Sequence, residues 1–474
     1  MPLPALGVKG WVALLLAGLL SGCAVFEPRP LDPAKVEAEF RGRALSDPEL
    51  RAFIEANRPG RRETPPPGTL DLVELTLIAF YYHPDLDVAR ARVGVATAGI
   101  VTAGGRPNPG VALTPEYNAD ALTGVSPWIL GFSFQIPVET AGKRGYRIAR
   151  AEHLTEAARL DLAAVAWRVQ SRVRAALAEH LFARQELQLL DAEERIRSES
   201  AVVMEKRLAI GDVSRPDVDT TRAEVARTRL AARSAATRVV ESLAALAIAL
   251  GIPVSALDGA SFAWPELTRA PGDDVLSPPA LQRAGLANRT DVRRALAEYA
   301  AAEALLRLEI ARQYPDVQIG PGYKWDQGED KFSLGFSVTL PVFNRNEGPI
   351  AEAEARRREL SARFLALQSG VIGEIDRALM RYRAVLSEVT EAEAALRALE
   401  ERERATVRAL ALGEADRLSL VGVQLQRALA ARERLESLGK ARGALGALED
   451  AVQRPLGGNA VAPDVGPAGP RAGR

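Results

Sequence analysis

The sequence offers few side chains that could perform chemistry. Among its 474 residues are three histidines and one cysteine. His83, His153 and His180 lie far apart along the chain, and Cys23 stands alone near its start, so no spacing matches a metal-ligand cluster. No Ser–His or Cys–His pattern is present for nucleophilic catalysis. We therefore predict no catalytic residues, no metal site and no cofactor, and conclude that the chain is not an enzyme.

Two further features have a structural interpretation. The segment AGKRG at 141–145 lacks the frame of a phosphate-binding loop, which needs G-x-x-x-x-G-K-[ST]. His180 lies on an apolar helical seam, which predicts a packing residue instead of a ligand. The charge is balanced, with 61 Lys plus Arg against 61 Asp plus Glu, and gives no support to a nucleic-acid partner.

The amino terminus has the pattern of an export signal. Residues 11–20, WVALLLAGLL, are apolar but too few to span a bilayer, which takes about 20 residues. The following LSGC resembles a bacterial lipobox, which implies a signal peptide at 1–22 and a lipidated Cys23. Ala24 is not the Asp that would tend to retain a lipoprotein in the inner membrane, so an outer-membrane location is favoured. An ordinary secretion signal with an incidental cysteine remains the alternative.

The elements that would position any site occur twice. GFSFQIPV from Gly131 returns as GFSVTLPV from Gly335, and VALTPEY, ending at Tyr117, matches VQIGPGY, ending at Tyr323. Landmarks that keep their order and nearly their spacing indicate a tandem duplication. We divide the chain accordingly: signal peptide 1–22, an extended lipid-anchored arm 23–68, first repeat 69–260, linker 261–279, second repeat 280–453 and disordered tail 454–474.

Each repeat is predicted to contain a helical segment, two strands, a very long helix, a glycine turn and a final helix. The first segments lie at 70–104 and 280–313, and the long helices run from about Tyr146 to Ile210 and from about Gly348 to Leu412, without proline. A heptad seam follows the first long helix, which favours a coiled-coil wall. Its positions are Leu162, Ala166, Val169, Val173, Ala176, His180, Ala183, Leu187 and Leu190.

The strands alternate between apolar residues on one face and small or polar residues on the other. This pattern fits a soluble sandwich or a membrane barrel equally well. Four strands are too few to close a barrel, and a sheet in lipid cannot keep open edges, so a barrel requires several copies of the chain. On that interpretation the lumen-facing residues are Gly131, Ser133, Gln135, Ser333, Gly335, Ser337 and Thr339.

The duplicated plan over roughly 70–453, with a strand-P-V phrase before each long helix, resembles the TolC-like outer-membrane efflux proteins. The resemblance implies a mainly α fold with membrane β-structure: a trimer whose twelve-stranded outer-membrane barrel, four strands per chain, stands on a periplasmic α-helical coiled-coil barrel. It also implies a passive conduit that works with a periplasmic adaptor and an inner-membrane pump and is embedded in outer-membrane lipid.

Two motifs narrow the resemblance. ETAGKR at 139–144 and FNRNEGPIAEAEAR at 343–356 are similar to the cobalt–zinc–cadmium branch, which serves resistance–nodulation–division pumps. Heavy-metal cations are therefore the expected cargo, with drugs or other small solutes as the alternative. A lipid-anchored structural coiled coil is the alternative of a different class, although such a protein has no need of the hairpins.

Family members close the periplasmic end near the two glycine turns, with charge pairs and acidic rings. We predict a gate formed by Arg215 and Asp217 after the first turn, and by Asp416 and Arg417 after the second. The family's acidic ring lies six and nine residues after the second glycine, where this sequence has Ser419 and Gly422. The acidic constriction of the family therefore cannot be assigned to this chain. An equal alternative to the gate is that the charged residues near the two turns are ordinary solvated side chains.

Overall fold

A computed structural model describes residues 24–58, 69–269 and 276–456. The chain divides into two compact units, Met1–Ala44 and Leu45–Arg474. The described part of the first unit contains helix α1, Pro33–Arg41, which Asp32 caps by accepting a hydrogen bond from the backbone N–H of Ala34. The expected signal peptide 1–22 and Cys23 lie outside the described residues, as do residues 457–474 of the expected tail.

Nine helices and six strands are described in the second unit. The helices are α2 Pro48–Asn57, α3 Leu72–Tyr82, α4 Pro84–Gly104, α5 Lys143–Ala209, α6 Arg215–Leu250, α7 Pro278–Asn288, α8 Thr290–Ala311, α9 Glu347–Ala411 and α10 Arg417–Val452. The strands are β1 Thr69–Leu70, β2 Gly110–Tyr117, β3 Trp128–Val138, β4 Ser261–Phe262, β5 Val317–Asp326 and β6 Glu329–Val338. The order of elements from α3 to α6 returns from α7 to α10, while the repeat boundaries drawn from the sequence stay predictions.

Both predicted first segments, 70–104 and 280–313, are helical, and each consists of two helices. His83 has extended backbone angles, φ −72° and ψ 122°, since the residue before a proline avoids the helical region. In the second repeat the break falls at Arg289, also extended at φ −58° and ψ 125°. Its guanidinium forms salt bridges of 2.7 Å with both Asp291 and Glu374, and these contacts hold the break.

The predicted extended arm is also wrong for its described part, which contains α1 and α2. Helix α2 packs into the core of the second unit through Leu50, which is completely buried. The carboxylates of Asp47 and Glu49 accept hydrogen bonds from the hydroxyls of Tyr82 and Tyr81 at 3.0 and 3.1 Å. Proline and charge in this stretch start helices instead of preventing them, since Pro48 follows the capping residue Asp47.

The long helices confirm the predicted plan. Helix α5 has 67 residues and α9 has 65; at 1.5 Å per residue each is about 100 Å long. The heptad seam is confirmed by the burial of Val169 and Val173, which are fully enclosed. His180 is a packing residue, as expected: it is buried edge-to-face against Phe262, and its Nδ1 lies 3.1 Å from the hydroxyl of Ser242. Burial lowers the pKa of His180, which favours the neutral ring.

Each repeat has its own hydrophobic core. The first is formed by α2–α6, and its most enclosed members are Leu50, Leu75, Leu86, Val169, Leu177, Leu246 and Leu250. The second is formed by α7–α10 and includes Leu281, Val292, Ile375, Leu379, Tyr382 and Leu448. The two largest clusters of buried apolar side chains thus lie one in each repeat.

The strands form one antiparallel four-stranded sheet in the order β2-β3-β5-β6 and a small parallel pair, β1 with β4. A two-residue turn joins β5 to β6, with Gln327 at φ 54° and Gly328 at φ 104°. Positive φ at both positions matches the turn that follows the natural twist of a hairpin. Over the described parts of the chain, no helix is both long and apolar enough to cross a membrane.

Candidate functional site

The four-stranded sheet has one continuous apolar face. Residues paired across antiparallel strands point to the same side, so the register sorts every residue between the two faces. The apolar face contains Val111, Leu113, Tyr117, Trp128, Leu130, Phe132, Phe134, Ile136, Val138, Val317, Ile319, Tyr323, Trp325, Phe332, Leu334, Phe336 and Val338. In the single chain this face is uncovered: Phe332 is 84% exposed, Leu113 72% and Phe336 69%.

The opposite face carries small and polar residues. The register places six of the seven residues expected to face a lumen on this side: Gly131, Ser133, Gln135, Ser333, Gly335 and Ser337. Thr339 lies outside the register, because β6 ends at Val338. Close packing explains one glycine, since a Cβ on Gly131 would lie 2.3 Å from the hydroxyl of Thr114.

The two outer strands of this sheet have free edges. Among the residues that the structure describes, β2 pairs only with β3 and β6 only with β5. Unpaired backbone N–H and C=O groups at an edge can pair with another chain. The sheet of one chain is therefore open at both sides.

The motif at 139–144 fixes the junction between sheet and helix. Lys143 is buried, and its ammonium group donates to the backbone carbonyl of Tyr314 at 2.6 Å and to Asp316 at 2.7 Å. Glu139 accepts two hydrogen bonds from Arg147, whose side chain also donates to the carbonyls that end α4. These contacts bind the start of α5 to both hairpins, which gives the motif a positioning role.

The two glycine turns join α5 to α6 and α9 to α10 with the same geometry. Gly211 and Gly413 have φ 79° and 77°, a conformation that side chains rarely adopt. After Gly211, the N–H of Asp212 donates to the carbonyl of Arg207, and after Gly413 the N–H of Glu414 donates to that of Ala409. This is the six-residue closure of a Schellman motif, so both reversals are fixed.

The four residues expected to form a gate do not contact one another within one chain. Asp217 closes a capping box with Ser214, and Arg215 contacts Asp219 of its own helix at 3.2 Å. Asp416 caps α10 by accepting from the N–H of Ser419 at 2.8 Å. The expected contact between Arg215 or Asp217 and the second turn is therefore absent inside the described chain, because local caps and i,i+4 partners take up these charges.

Asp416 and Arg417 instead contact α5. Arg207 pairs with Asp416, and the Nε of Arg417 lies 2.6 Å from Glu199. The cap and Arg207 together lower the pKa of Asp416 to about 2. Glu199 and Arg207 were not predicted from the sequence. Spacing along the chain does not reveal which helices of the two repeats lie side by side.

Farther from the turns, a buried carboxylate joins three helices. Glu193 of α5 accepts from Arg197 at 2.8 Å, from Arg432 of α10 at 2.8 Å and from Thr228 of α6 at 3.4 Å. Burial raises the pKa of Glu193, but the two arginines outweigh this effect and leave the pKa below its ordinary value. The charged form is therefore held between α5, α6 and α10.

The remainder of the α5–α10 seam is mixed, because Phe182 of α5 packs against an apolar cluster that includes Leu438 and Ala441 of α10. Near the end of α10, Arg174 pairs with Glu449 at 2.7 Å and with Asp450 at 2.8 Å. Between this cluster and Glu193 lies a cleft of about 850 Å³ whose walls include Ala178, Phe182 and Gly443. The two helices are thus joined by charge contacts near the glycine turns and at Arg174, and by an apolar contact at Phe182 between them.

The described residues contain no group of three or more His, Cys, Asp or Glu side chains that could hold a metal ion. His83 caps α4, and His153 lies on α5. The arrangement offers a sheet with one apolar face and one face of small and polar residues, followed by long helices.

Residues 79–252 match the family model described as outer membrane efflux protein. The resemblance stated from the sequence is confirmed, and with it the fold class and the outer-membrane location of this family. The structure is similar to that of the outer membrane protein VceC from Vibrio cholerae, with a TM-score of 0.62 at 20% identity over 80% of this chain and 95% of VceC.

Two curated relatives are more similar in sequence. The cobalt-zinc-cadmium resistance protein CzcC of Cupriavidus metallidurans is 27% identical over 306 residues, which are 63% of this chain and 69% of CzcC. The nickel-cobalt-cadmium resistance protein NccC of Alcaligenes xylosoxydans xylosoxydans is 29% identical over 291 residues, 59% of this chain. The chain spans 63% of the length of NccC, just under two thirds.

Proposed function

We propose that this chain is the outer-membrane channel subunit of a tripartite efflux system and that it exports heavy-metal cations as a passive conduit. The observation that carries the proposal is the sheet, whose apolar face is uncovered and whose two edges are unpaired. Such a surface is unfavourable in water, and its unpaired edges are unfavourable in lipid. Association of several copies into a closed barrel removes both problems.

Three copies give the expected number of strands. Four strands from each chain make twelve, enough for a barrel with a water-filled bore, whereas about eight strands leave almost none. The small face then lines the bore, with Gly131, Ser133 and Ser337 among its residues, and the apolar face meets lipid. A homotrimer in which β6 of one subunit pairs with β2 of the next satisfies both edges.

The cargo is inferred from the relatives and from the residues of the bore. The names of CzcC and NccC refer to resistance to cobalt, zinc, nickel and cadmium. A conduit for such cations needs no tight ligands, because hydrated ions pass a wide bore without being bound. A periplasmic adaptor and an inner-membrane resistance–nodulation–division pump would supply the energy for export and select the cations that enter the channel. Lipidated Cys23 would anchor the chain in the outer membrane.

Opening would occur at the α5–α10 seam near the glycine turns. The pairs Glu199–Arg417 and Arg207–Asp416 are exposed and individually weak. Within one chain they take the place of the gate contacts expected from the sequence, since Arg215 and Asp217 already have local partners. An adaptor that binds the open arrangement better would shift the balance toward it.

Tolerance measurements test the cargo. Cells carrying the pump and adaptor should lose tolerance to cobalt, zinc and cadmium when this chain is deleted and keep their tolerance to drugs. Loss of drug tolerance with unchanged metal tolerance would select the alternative cargo. Loss of neither would favour the structural coiled coil, and proteolytic removal of the N-terminal arm should then release the protein from membranes.

A further inference from the structure

The small face of the sheet changes character near the hairpin tips. From the helical end toward the tips, its successive rows contain Ser133 with Gly322 and Ser333, and then Gly131 with Lys324 and Lys331. The next row holds Glu116, Ile129, Asp326 and Glu329. Five charged side chains thus follow rows of glycine, alanine, serine and glutamine. We name these five residues, Glu116, Lys324, Asp326, Glu329 and Lys331, the charge belt.

The belt is arranged as a lysine row beside an acidic row. Lys324 and Lys331 are directly opposite each other on β5 and β6, an unfavourable pairing of like charges unless other charges compensate. The ammonium group of Lys331 lies 2.5 Å from Asp326 and 3.4 Å from Glu329. The acidic row therefore neutralises the lysine row locally.

Lys324 makes its contact across an intervening strand. Its partner, Glu116, lies on β2, and the two charged groups are 3.3 Å apart. Strand β3 runs between them, and its residue opposite Lys324 is Gly131, which has no side chain to block the path. The belt thereby reaches across the sheet from β2 to β6, although β3 contributes none of its five residues, and its lysines are the longest side chains on this face.

We propose that the charge belt sets the ion preference of the channel at its outer mouth. This inference rests on the proposed function, in which the small face lines the bore and the hairpin tips point away from the periplasmic helices. Rings of acidic or basic side chains decide whether a pore favours cations or anions. Three carboxylates against two lysines leave one net negative charge per chain, so the intact belt favours cations weakly.

The test is the ratio of potassium to chloride permeability of the full-length protein, obtained from the reversal potential of open events in planar bilayers. The solutions should be dilute, because the screening length falls to about 10 Å at 0.1 M salt. Lys324→Gln with Lys331→Gln should raise the ratio about twofold or more, since only acidic charges remain. Glu116→Gln with Asp326→Asn and Glu329→Gln should lower it below the wild-type value.

Asp330 provides the matched control. It lies at the same height as the belt but on the apolar face, where it accepts a hydrogen bond from the hydroxyl of Tyr323 at 2.6 Å. Asp330→Asn should leave the ratio unchanged. If the wild-type channel conducts but the lysine variant has the permeability ratio of the wild type or of Asp330→Asn, the charge belt does not set the ion preference. The proposed function is unaffected by that result. If the wild-type protein forms no pore, the proposed function is wrong, and so is the role proposed for the charge belt.

Discussion

Arg417→Ser should favour opening of the periplasmic end, whereas Arg215→Ser should not. The two arginines are duplicates: each is the first residue of a 36-residue helix that follows a glycine turn. Arg417 reaches across to Glu199 of α5, while Arg215 contacts Asp219 of its own helix. Loss of Arg417 therefore removes a contact between two helices that must separate, and loss of Arg215 does not.

The size of the effect follows from exposure and symmetry. An exposed ion pair stabilises by about 0.2–1 kcal/mol, and a trimer contains three copies, so the closed state loses about 0.6–3 kcal/mol. The Arg417 and Glu199 side chains are 53% and 38% exposed, which favours the lower part of that range. At about 1.4 kcal/mol per factor of ten, the ratio of open to closed channels should rise about threefold to tenfold.

Single-channel recording of the purified protein measures this ratio directly. In 1 M salt, where the screening length is about 3 Å, the difference between wild type and Arg417→Ser should shrink. Glu199→Arg combined with Arg417→Glu should restore wild-type closure. Equal opening by Arg215→Ser, or no change with Arg417→Ser, would refute the reasoning and assign closure to packing.

Three further predictions concern other parts of the molecule. Glu193→Ala should lower the temperature of trimer dissociation, since removing one partner of a buried ion pair costs about 3–5 kcal/mol, whereas Glu193→Leu with Arg432→Leu should lower it much less. Phe336→Arg should block membrane assembly, because a lipid-facing charge costs about 2–4 kcal/mol, while Ser337→Arg should assemble and alter conductance; identical behaviour would disprove the facing assignment. Cys23→Ser should abolish incorporation of labelled fatty acid but leave the trimer intact, and undiminished labelling would exclude this anchor.

Local patterns made the helices and strands predictable. A proline-free heptad identified α5, alternating residues identified the faces of the strands, and the two glycines identified the turns. The break after His83 follows from Pro84 and could have been read from the sequence, whereas the break at Arg289 depends on Glu374 of another helix. Most features that depend on neighbours along the chain were predicted, apart from the break at His83 and the helix that begins at Pro48, whereas features that depend on neighbours in space were not.

The candidate gate illustrates the same limit. Charge density beside the turns drew attention to Arg215 and Asp217, yet their contacts are local. Glu193, Glu199 and Arg207 look like ordinary solvated helix residues in the sequence. Their importance depends on α10 lying beside α5, a pairing between repeats that no period along either helix specifies.

The copy number of the membrane-extracted protein tests the central claim most directly. Native mass spectrometry in mild detergent should find three chains in one particle, because the edges of β2 and β6 need partners from other subunits. A stable particle containing a single chain would contradict the shared barrel, since one four-stranded sheet cannot satisfy its edges in lipid.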